Sequence, residues 1–374
     1  MHLLASLAAH GWHPAAWRVS AATGFEGVSS FRDAARTAER GGLDAVLLGL
    51  PTAPMAARQK GTLDSLHLDP LPLLGALIGV TKRIGLCGYW PADVAEPYHV
   101  ARVFATLDHL AGGRTGWIAG LDGPTELAQR FQKPDLPISG PDADARFVEL
   151  IDVARQLWDS WEDESFTVDQ KTGTFAVSER VHPIEHEGRF FTVRGPLNVP
   201  RPVQGQPVIL YRDRPFDPAR AALALSAEIV LAECATVAEA QARRAEWRGL
   251  AGKQERDDGD VRLVARVMPI LAGTEEEATR RAAELDGLVP PLAGGAPRFV
   301  GTPERFAAWM IEWNASGACD GFDILPAVMS IDLAVVVEHV VPVLRRRGVR
   351  SAGYSGSTLR QQFGLERAAS RYAA

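Results

Sequence analysis

Short apolar runs that alternate with helical patterns constrain the fold of this chain more than any other feature of its sequence. This alternation is typical of a parallel sheet whose strands are joined by crossover helices. The predicted strands are Leu3–Ala9, Asp44–Leu48, Ile84–Cys87, Thr115–Ala119, Val208–Tyr211, Glu228–Ala232, Leu263–Leu271 and Gly321–Leu325. Eight strands in this arrangement predict an α/β fold, a closed (β/α)8 TIM barrel with its reactive end at the strand carboxyl ends. A doubly wound open sheet is the alternative, but no glycine-rich dinucleotide turn follows the first strand.

Helical periodicity fills most intervals between these strands. The predicted helices include Phe31–Arg40 with Ser30 as its cap, Leu71–Val80, Ala145–Trp161, Pro218–Ser226 and Asp332–Arg346, and a loop is predicted at Pro290–Gly301. Between Glu162 and Gln206 the pattern changes to turns and short β segments, which predicts an insertion (162–206) after the fourth strand. We expect one barrel domain (1–374) that ends in a C-terminal arm (348–374).

Composition and charge exclude several classes of protein. The 374 residues are 46% hydrophobic, yet no apolar run approaches the ~18 residues that a membrane span needs. The net charge of −6 is spread along the chain, so neither a nucleic acid nor a membrane surface is an expected partner. Cys87, Cys234 and Cys319 lie far apart and are odd in number, which favours free thiols in a reducing cytoplasm.

One stretch, EPYHVARVFATLDHLAGGRTGW (Glu96–Trp117), carries a family resemblance. It predicts a helix that begins at Pro97, buries one apolar face and stops at Gly112. The stretch resembles the bacterial-luciferase-like flavin monooxygenases, in the branch of the nitrilotriacetate, dibenzothiophene-sulfone and pristinamycin-forming enzymes. Further resembling blocks are Trp12–Arg18, His182–Val208, Val300–Leu325 and the C-terminal VVPVLRRRGVR and GYSGSTLRQQFGL.

This resemblance implies a luciferase-like barrel with an insertion after strand four. It also implies a two-component monooxygenase, in which reduced FMN from a separate flavin reductase reacts with O2 and a small organic substrate is oxygenated. A homodimer, or a heterodimer with a paralogue, is the expected assembly.

The turns that contact FMN in the family differ in this chain. Leu50 stands where the family has an aspartate, and Ile118 where it has an asparagine. Gly88–Asp93 replaces a Thr/Ser-rich turn, and Tyr211–Pro215 replaces the small-residue turn that receives the phosphate. The alternative hypothesis is therefore a barrel that has lost conventional FMN binding, acting as a non-catalytic partner of a paralogue or as a cofactor-independent enzyme.

Candidate site residues follow from these positions. For the cofactor they are Tyr89, Trp117, Arg212 and Arg214; for a substrate pocket they are Trp12, Trp17, Trp90, Leu50 and Ile118. The two arginines could replace the phosphate-binding amides, or could instead pair with neighbouring carboxylates. The aromatic residues could stack on a planar ligand, or fill the space that a flavin would occupy.

Histidines supply the candidate proton-transfer groups. His10 and His13 follow the first strand at the reactive end, although a structural role is equally open for either. His182 and His186 are close enough in sequence to suggest a metal, but no third ligand lies nearby, so we expect no metal site.

Overall fold

The structure is a computed structural model that describes residues 1–20, 28–50, 68–121, 140–213, 220–254, 256–291 and 295–372. Its strands are β1 (His2–Leu7), β2 (Ala45–Leu48), β3 (Gly85–Pro91), β4 (Thr115–Gly120), β5 (Phe166–Asp169), β6 (Thr174–Ala176), β7 (His186–Glu187), β8 (Thr192–Val193), β9 (Val208–Arg212), β10 (Ile229–Ala232), β11 (Arg262–Leu271), β12 (Arg298–Gly301) and β13 (Gly321–Ile324). Eight of them pair in parallel in the order β1-β2-β3-β4-β9-β10-β11-β13, and β13 pairs with β1. The predicted closed barrel is therefore confirmed.

Most of the helices form a layer outside this barrel. They span Ala16–Val19, Val28–Arg40, Pro70–Ile78, Pro97–Ala111, Pro141–Asp159, Arg220–Leu223, Val237–Gly252, Glu275–Leu288, Pro303–Ala315, Met329–Val335, Val341–Arg346 and Leu359–Gln362. The helix expected after Glu96 is confirmed, and it ends at Gly112 in the left-handed conformation (φ 62°) that favours glycine. None of the described helices is both long and apolar enough to cross a bilayer.

Four local predictions were wrong. Ser30 lies inside its helix instead of capping it, and its hydroxyl donates to the carbonyl oxygen of Ala9. β3 continues to Pro91, so the predicted turn at Gly88–Asp93 begins as strand. The predicted loop Pro290–Gly301 contains β12, which extends the sheet beside the end of β11. A five-residue π-helix (Val336–Val340) interrupts the predicted helix Asp332–Arg346.

The barrel has two apolar layers because successive side chains of a strand point to opposite faces. One layer lies between the strands and the helices. The other fills the lumen and contains Leu4, Ala45, Leu47, Leu50, Cys87, Tyr89, Ile118, Val208, Leu210, Ile229, Leu231 and Val264, together with Leu359, Phe363 and Leu365 from beyond the last strand. The predicted arm thus contributes three side chains to the lumen, and the ring of Phe363 lies 4.7 Å from that of His2 at the start of β1.

Residues 162–206 form two small antiparallel hairpins, β5-β6 and β7-β8. Trp161 joins this region to the barrel, since its ring stacks on Phe166 (5.2 Å) and its Nε1 donates to the carbonyl oxygen of Leu197 (2.6 Å). The side chain of Arg201 is almost fully buried in an ion pair with Asp159 of the preceding barrel helix. The hairpins are therefore held to the barrel by buried polar and aromatic contacts.

Candidate functional site

Charged side chains enter the barrel lumen at the carboxyl ends of four strands. Arg266 of β11 donates from Nε to Asp323 of β13 (3.0 Å) and from Nη1 to Glu233, which follows β10 (2.8 Å). Arg212, at the end of β9, donates to the same oxygen of Glu233 (2.8 Å). Ser6 of β1 donates its hydroxyl to Asp323 (2.8 Å). Together Ser6, Arg212, Glu233, Arg266 and Asp323 form what we call the lumen network.

Burial sets the electrostatics of this network. The side chain of Asp323 is fully buried, and this burial raises the pKa of its carboxyl despite the opposing effects of Arg266 and Ser6. Only 1% of the Arg266 side chain is exposed, and its Nη2 has no hydrogen-bond partner among the residues that the structure describes. A buried donor without a partner costs about 1–3 kcal/mol, so the position of Arg266 is not explained by stability alone.

Trp12 covers one side of the lumen network. Its Nε1 donates to the carbonyl oxygen of Ser6 (2.7 Å), and the guanidinium carbon of Arg266 lies 5.3 Å from the centre of its ring. This cation–π contact holds the indole against the charge. Glycine at position 11 (φ 139°) allows the backbone before Trp12 to lie close to Ala327, because a Cβ there would overlap the Ala327 backbone.

The structure separates the two candidate histidines. His13 is buried with both ring nitrogens occupied, since Nδ1 accepts from the amide of Ala15 (3.1 Å) and Nε2 lies 3.0 Å from Asp286. His10 is half-buried, and its Nδ1 has no partner among the described residues. Burial lowers the pKa of His10, which favours the neutral ring at pH 7. Of the two, only His10 has a ring nitrogen without a hydrogen-bond partner among the described residues.

The predicted pocket residues fall into two groups. Leu50, Tyr89 and Ile118 lie together in the lumen layer, and Trp12 packs against them. The ring of Tyr89 packs against Gly120. Trp117 lies instead in the outer layer, where its fully buried ring is 5.8 Å from that of Phe104. The position of Trp117 therefore gives no support to a cofactor contact.

Two further tryptophans are also outside the lumen. Trp90 packs against the outer layer beside Phe104 (6.4 Å), and Trp17 is 43% exposed on the helix Ala16–Val19. The structure thus brings together four of the predicted residues (Trp12, Leu50, Tyr89 and Ile118) and leaves Trp17, Trp90 and Trp117 outside that cluster.

At the end of β9, a position where the family resemblance implies phosphate binding, the described groups pair with one another. The buried carboxyl of Asp213 contacts the guanidinium groups of both Arg220 and Arg243, and Arg212 pairs with Glu233. Arg214 lies outside the described residues. Trp12 and Tyr89 supply aromatic surface beside the lumen. The described residues at the end of β9 do not form a receptor for a phosphate dianion.

A small cavity lies next to the lumen network. It has a volume of about 50 Å³ and is lined by Trp12, Pro14, Glu233, Arg266, Met268, Pro291, Gly295, Ala296, Arg298 and Leu325. Drug-sized ligands occupy cavities of roughly 300–1,000 Å³, so this space admits only part of such a molecule. Among the described residues, no group of three His, Cys, Asp or Glu side chains is arranged to hold a metal.

Sequence reasoning missed Ser6, Glu233, Arg266 and Asp323. Three of them carry a signal that could have revealed them, namely a polar side chain within an apolar strand: Ser6 in HLLASL, Arg266 in RLVARVMPIL and Asp323 in GFDI. Buried charges are rare unless they are paired, so such residues at inward positions of several strands indicate a shared polar cluster.

Several known proteins resemble this chain, some of them along nearly its whole length. It is 32% identical to N-acetyl-S-(2-succino)cysteine monooxygenase of Bacillus subtilis (strain 168), covering 98% of this chain and 97% of the relative. It is 31% identical to nitrilotriacetate monooxygenase component A of Aminobacter aminovorans, covering 96% and 94%. One of the subunits of pristinamycin IIA synthase from Streptomyces pristinaespiralis is 41% identical, covering 53% of this chain and 60% of the relative.

A solved structure shares the fold. EDTA monooxygenase from Chelativorans sp. BNC1 superposes with a TM-score of 0.84 and 26% identity, covering 98% of both chains. Residues 9–310 match the model of the family described as luciferase-like monooxygenase. This chain therefore belongs to the luciferase-like monooxygenase family.

Proposed function

We propose that this chain is the oxygenase component of a two-component monooxygenase, which oxygenates a small organic substrate with O2 and reduced FMN delivered by a flavin reductase. The observation that carries this proposal is the identity of about one third to known monooxygenases over almost their entire length. Reduced FMN, when bound, supplies the electrons that activate O2. The protein supplies binding, orientation and exclusion of water.

The described residues have distinct parts in this proposal. Trp12 and Tyr89 provide aromatic surface for a planar ring and keep water from the lumen. Arg212 and Arg214 are the proposed phosphate contacts, and phosphate binding would require Arg212 to exchange its ion pair with Glu233 for the ligand. His10 is the proposed proton-transfer group, because one of its ring nitrogens is unpartnered among the described residues. Trp117 is left out of the proposed contacts because its ring is enclosed in the outer layer.

Flavin titration tests the proposal directly. Purified protein is titrated with oxidised FMN by fluorescence, and with reduced FMN under anaerobic conditions by absorbance. We expect saturable binding of reduced FMN, weakened at least tenfold by Arg212→Gln, whereas the exposed change Arg305→Gln leaves it unchanged. Absence of binding of either flavin form at millimolar concentration would exclude the oxygenase function.

A second function is that of a non-catalytic partner of a flavin-binding paralogue. It is supported by the ion pairs of Asp213 at the end of β9, and by the similarity to a relative that is named as part of a synthase with subunits. If this function is correct, the chain fails to bind FMN alone but coelutes with the paralogue during gel filtration and raises its oxygenase activity. A chain that neither binds flavin nor associates with the paralogue would contradict both functions.

A further inference from the structure

A groove lies in the helical layer outside the barrel, between the helices Pro303–Ala315 and Val341–Arg346. It has a volume of about 460 Å³. Its apolar lining includes Ile311 and Val343, which are half-buried, and four charged side chains line the remainder. The groove therefore combines an apolar surface with a charged border, on a face that has no part in the lumen.

Opposite charges lie on opposite sides of this groove. Glu304 and Glu312 both belong to the helix Pro303–Ala315, and we call them the acidic wall. Arg346 and Arg347 both lie at the end of the other helix, and we call them the basic wall. All four side chains are exposed, and none forms an ion pair with another residue that the structure describes. The two walls thus do not pair with each other across the groove.

The two helices run in the same direction. The helix Pro303–Ala315 follows β12, and Val341–Arg346 ends the helical stretch that follows β13, and both strands pair in parallel with β11. A two-fold axis parallel to the groove would therefore place each helix over the other helix of a second copy, as in a four-helix bundle. In that arrangement the acidic wall of each copy faces the basic wall of the other, and the apolar side chains meet between them.

We propose that this groove is an interface between two copies of this chain. A two-fold interface uses the same surface twice, so that surface must be complementary to itself. A face with one acidic side, one basic side and apolar residues between them meets this condition, whereas a face of a single charge would repel its copy. A second copy therefore supplies both charges, and the apolar surface, in the order that the groove requires.

The size of this face sets the expected strength of association. At about 1.5 Å per residue, the 13 residues of Pro303–Ala315 span roughly 20 Å. Two such helices packed about 10 Å apart present a face of similar width, which is at the small end of the range for specific interfaces. Exposed ion pairs at its border add little free energy but fix the orientation of the two copies. We therefore expect a dimer with a Kd in the micromolar range.

Sedimentation velocity on the full chain, without flavin, tests this interface. At micromolar protein concentration and low salt we expect a monomer–dimer equilibrium. High salt should raise the Kd, because it screens the charges of the two walls. A chain that remains monomeric up to about 0.1 mM would overturn the proposal.

Charge reversals at the exposed positions identify the face. Glu304→Arg with Glu312→Arg makes both walls basic, and Arg346→Glu with Arg347→Glu makes both walls acidic. Either double variant alone should associate at least tenfold more weakly than the unaltered chain, because like charges then face each other. An equimolar mixture of the two double variants should form a dimer again, since every facing pair is then opposite in sign.

The matched control is Arg189→Glu with Arg194→Glu, which reverses two exposed arginines of the insertion and should leave the Kd of association unchanged. Circular dichroism establishes that each variant is folded. An unchanged Kd in both groove variants, or a mixture of them that remains monomeric, would contradict the assignment of this face.

This result is separable from the flavin titration. A dimer that depends on the two walls but does not bind FMN would retain the interface and exclude the oxygenase function. FMN binding by a chain whose association does not depend on the walls would do the reverse.

Discussion

At the scale of single residues, the lumen network shows how a charge is maintained inside an apolar barrel. Arg266 is almost fully buried, but two carboxylates and the face of Trp12 surround its guanidinium group. Such an arrangement offsets the cost of removing the charge from water without making the pair a strong source of stability. Removing one partner strongly destabilises the protein, since the remaining charged groups stay buried and unpaired.

We expect Arg266→Met to lower the free energy of unfolding by about 3–5 kcal/mol, because Asp323 and Glu233 lose their shared partner. Arg305→Met, which removes an exposed pair with Glu275, should cost less than about 1 kcal/mol. Urea unfolding followed by circular dichroism measures both changes. Equal losses in free energy of unfolding would show that the lumen network contributes no more to stability than an exposed ion pair does.

His2 gives a prediction on pH. Burial lowers the pKa of His2 from 6.5 to about 4, with Asp44 acting in the opposite direction. Between these two values the unfolded chain binds more protons at this site than the folded chain does, so stability rises with pH. The contribution is fully present above about pH 6.5 and is lost as pH falls towards 4, at up to about 1.4 kcal/mol per pH unit.

Urea unfolding between pH 4 and 7.5 checks this dependence. His2→Gln should flatten the rise in stability with pH, whereas the exposed change His109→Gln should leave it as in the unaltered chain. Identical slopes for the chain with and without His2 would refute the assignment.

At the scale of elements, periodicity in the sequence predicted the helices and strands that depend on local contacts. The apolar spacing after Glu96 identified the helix Pro97–Ala111 and its glycine stop because both follow from local chemistry. β12 was missed, since Arg298–Gly301 becomes a strand only by pairing with the distant end of β11. The π-helix at Val336–Val340 directly precedes the segment that contains Pro342, whose missing amide and bulky ring disturb regular helical bonding.

Two glycines allow a matched test of helix chemistry. Gly112 has φ 62° at the end of its helix, whereas Gly75 lies within the helix Pro70–Ile78, and a Cβ at either position would meet open space. We expect Gly112→Ala to destabilise the protein by about 1 kcal/mol, because L-residues are strained in the left-handed region. Gly75→Ala should stabilise it by roughly 0.5–1 kcal/mol. Thermal unfolding gives both values, and changes of the same sign would contradict this account.

At the scale of the whole molecule, the sequence was sufficient for the barrel but not for the site. Eight strands could be placed because each has a buried apolar pattern of its own, and their order then follows from βα alternation. The lumen network could not be placed, because its members come from five strands or strand ends and their contacts exist only after closure. The family resemblance identified the barrel, and the replaced turns at Leu50, Ile118 and Tyr211–Pro215 were visible in the sequence.

The lumen also gives a prediction for the arm. Phe363 is almost fully buried among lumen residues contributed by distant strands. We expect Phe363→Ala to reduce the free energy of unfolding by about 3–5 kcal/mol, and Phe363→Leu to cost less because most of the volume is kept. Denaturant unfolding measures both. A loss below about 1 kcal/mol for the alanine variant would show that the arm merely lies on the barrel.

The location of these arm residues has a consequence for biosynthesis. β1 pairs with β13, which is synthesised more than 300 positions later, and Leu359, Phe363 and Leu365 emerge from the ribosome later still. The nascent chain therefore exposes apolar strand surface for most of its translation, and aggregation competes with folding during this period. Closure of the barrel must therefore wait until β13 and these arm residues have been synthesised, and we expect aggregation of the open barrel to compete with folding until then.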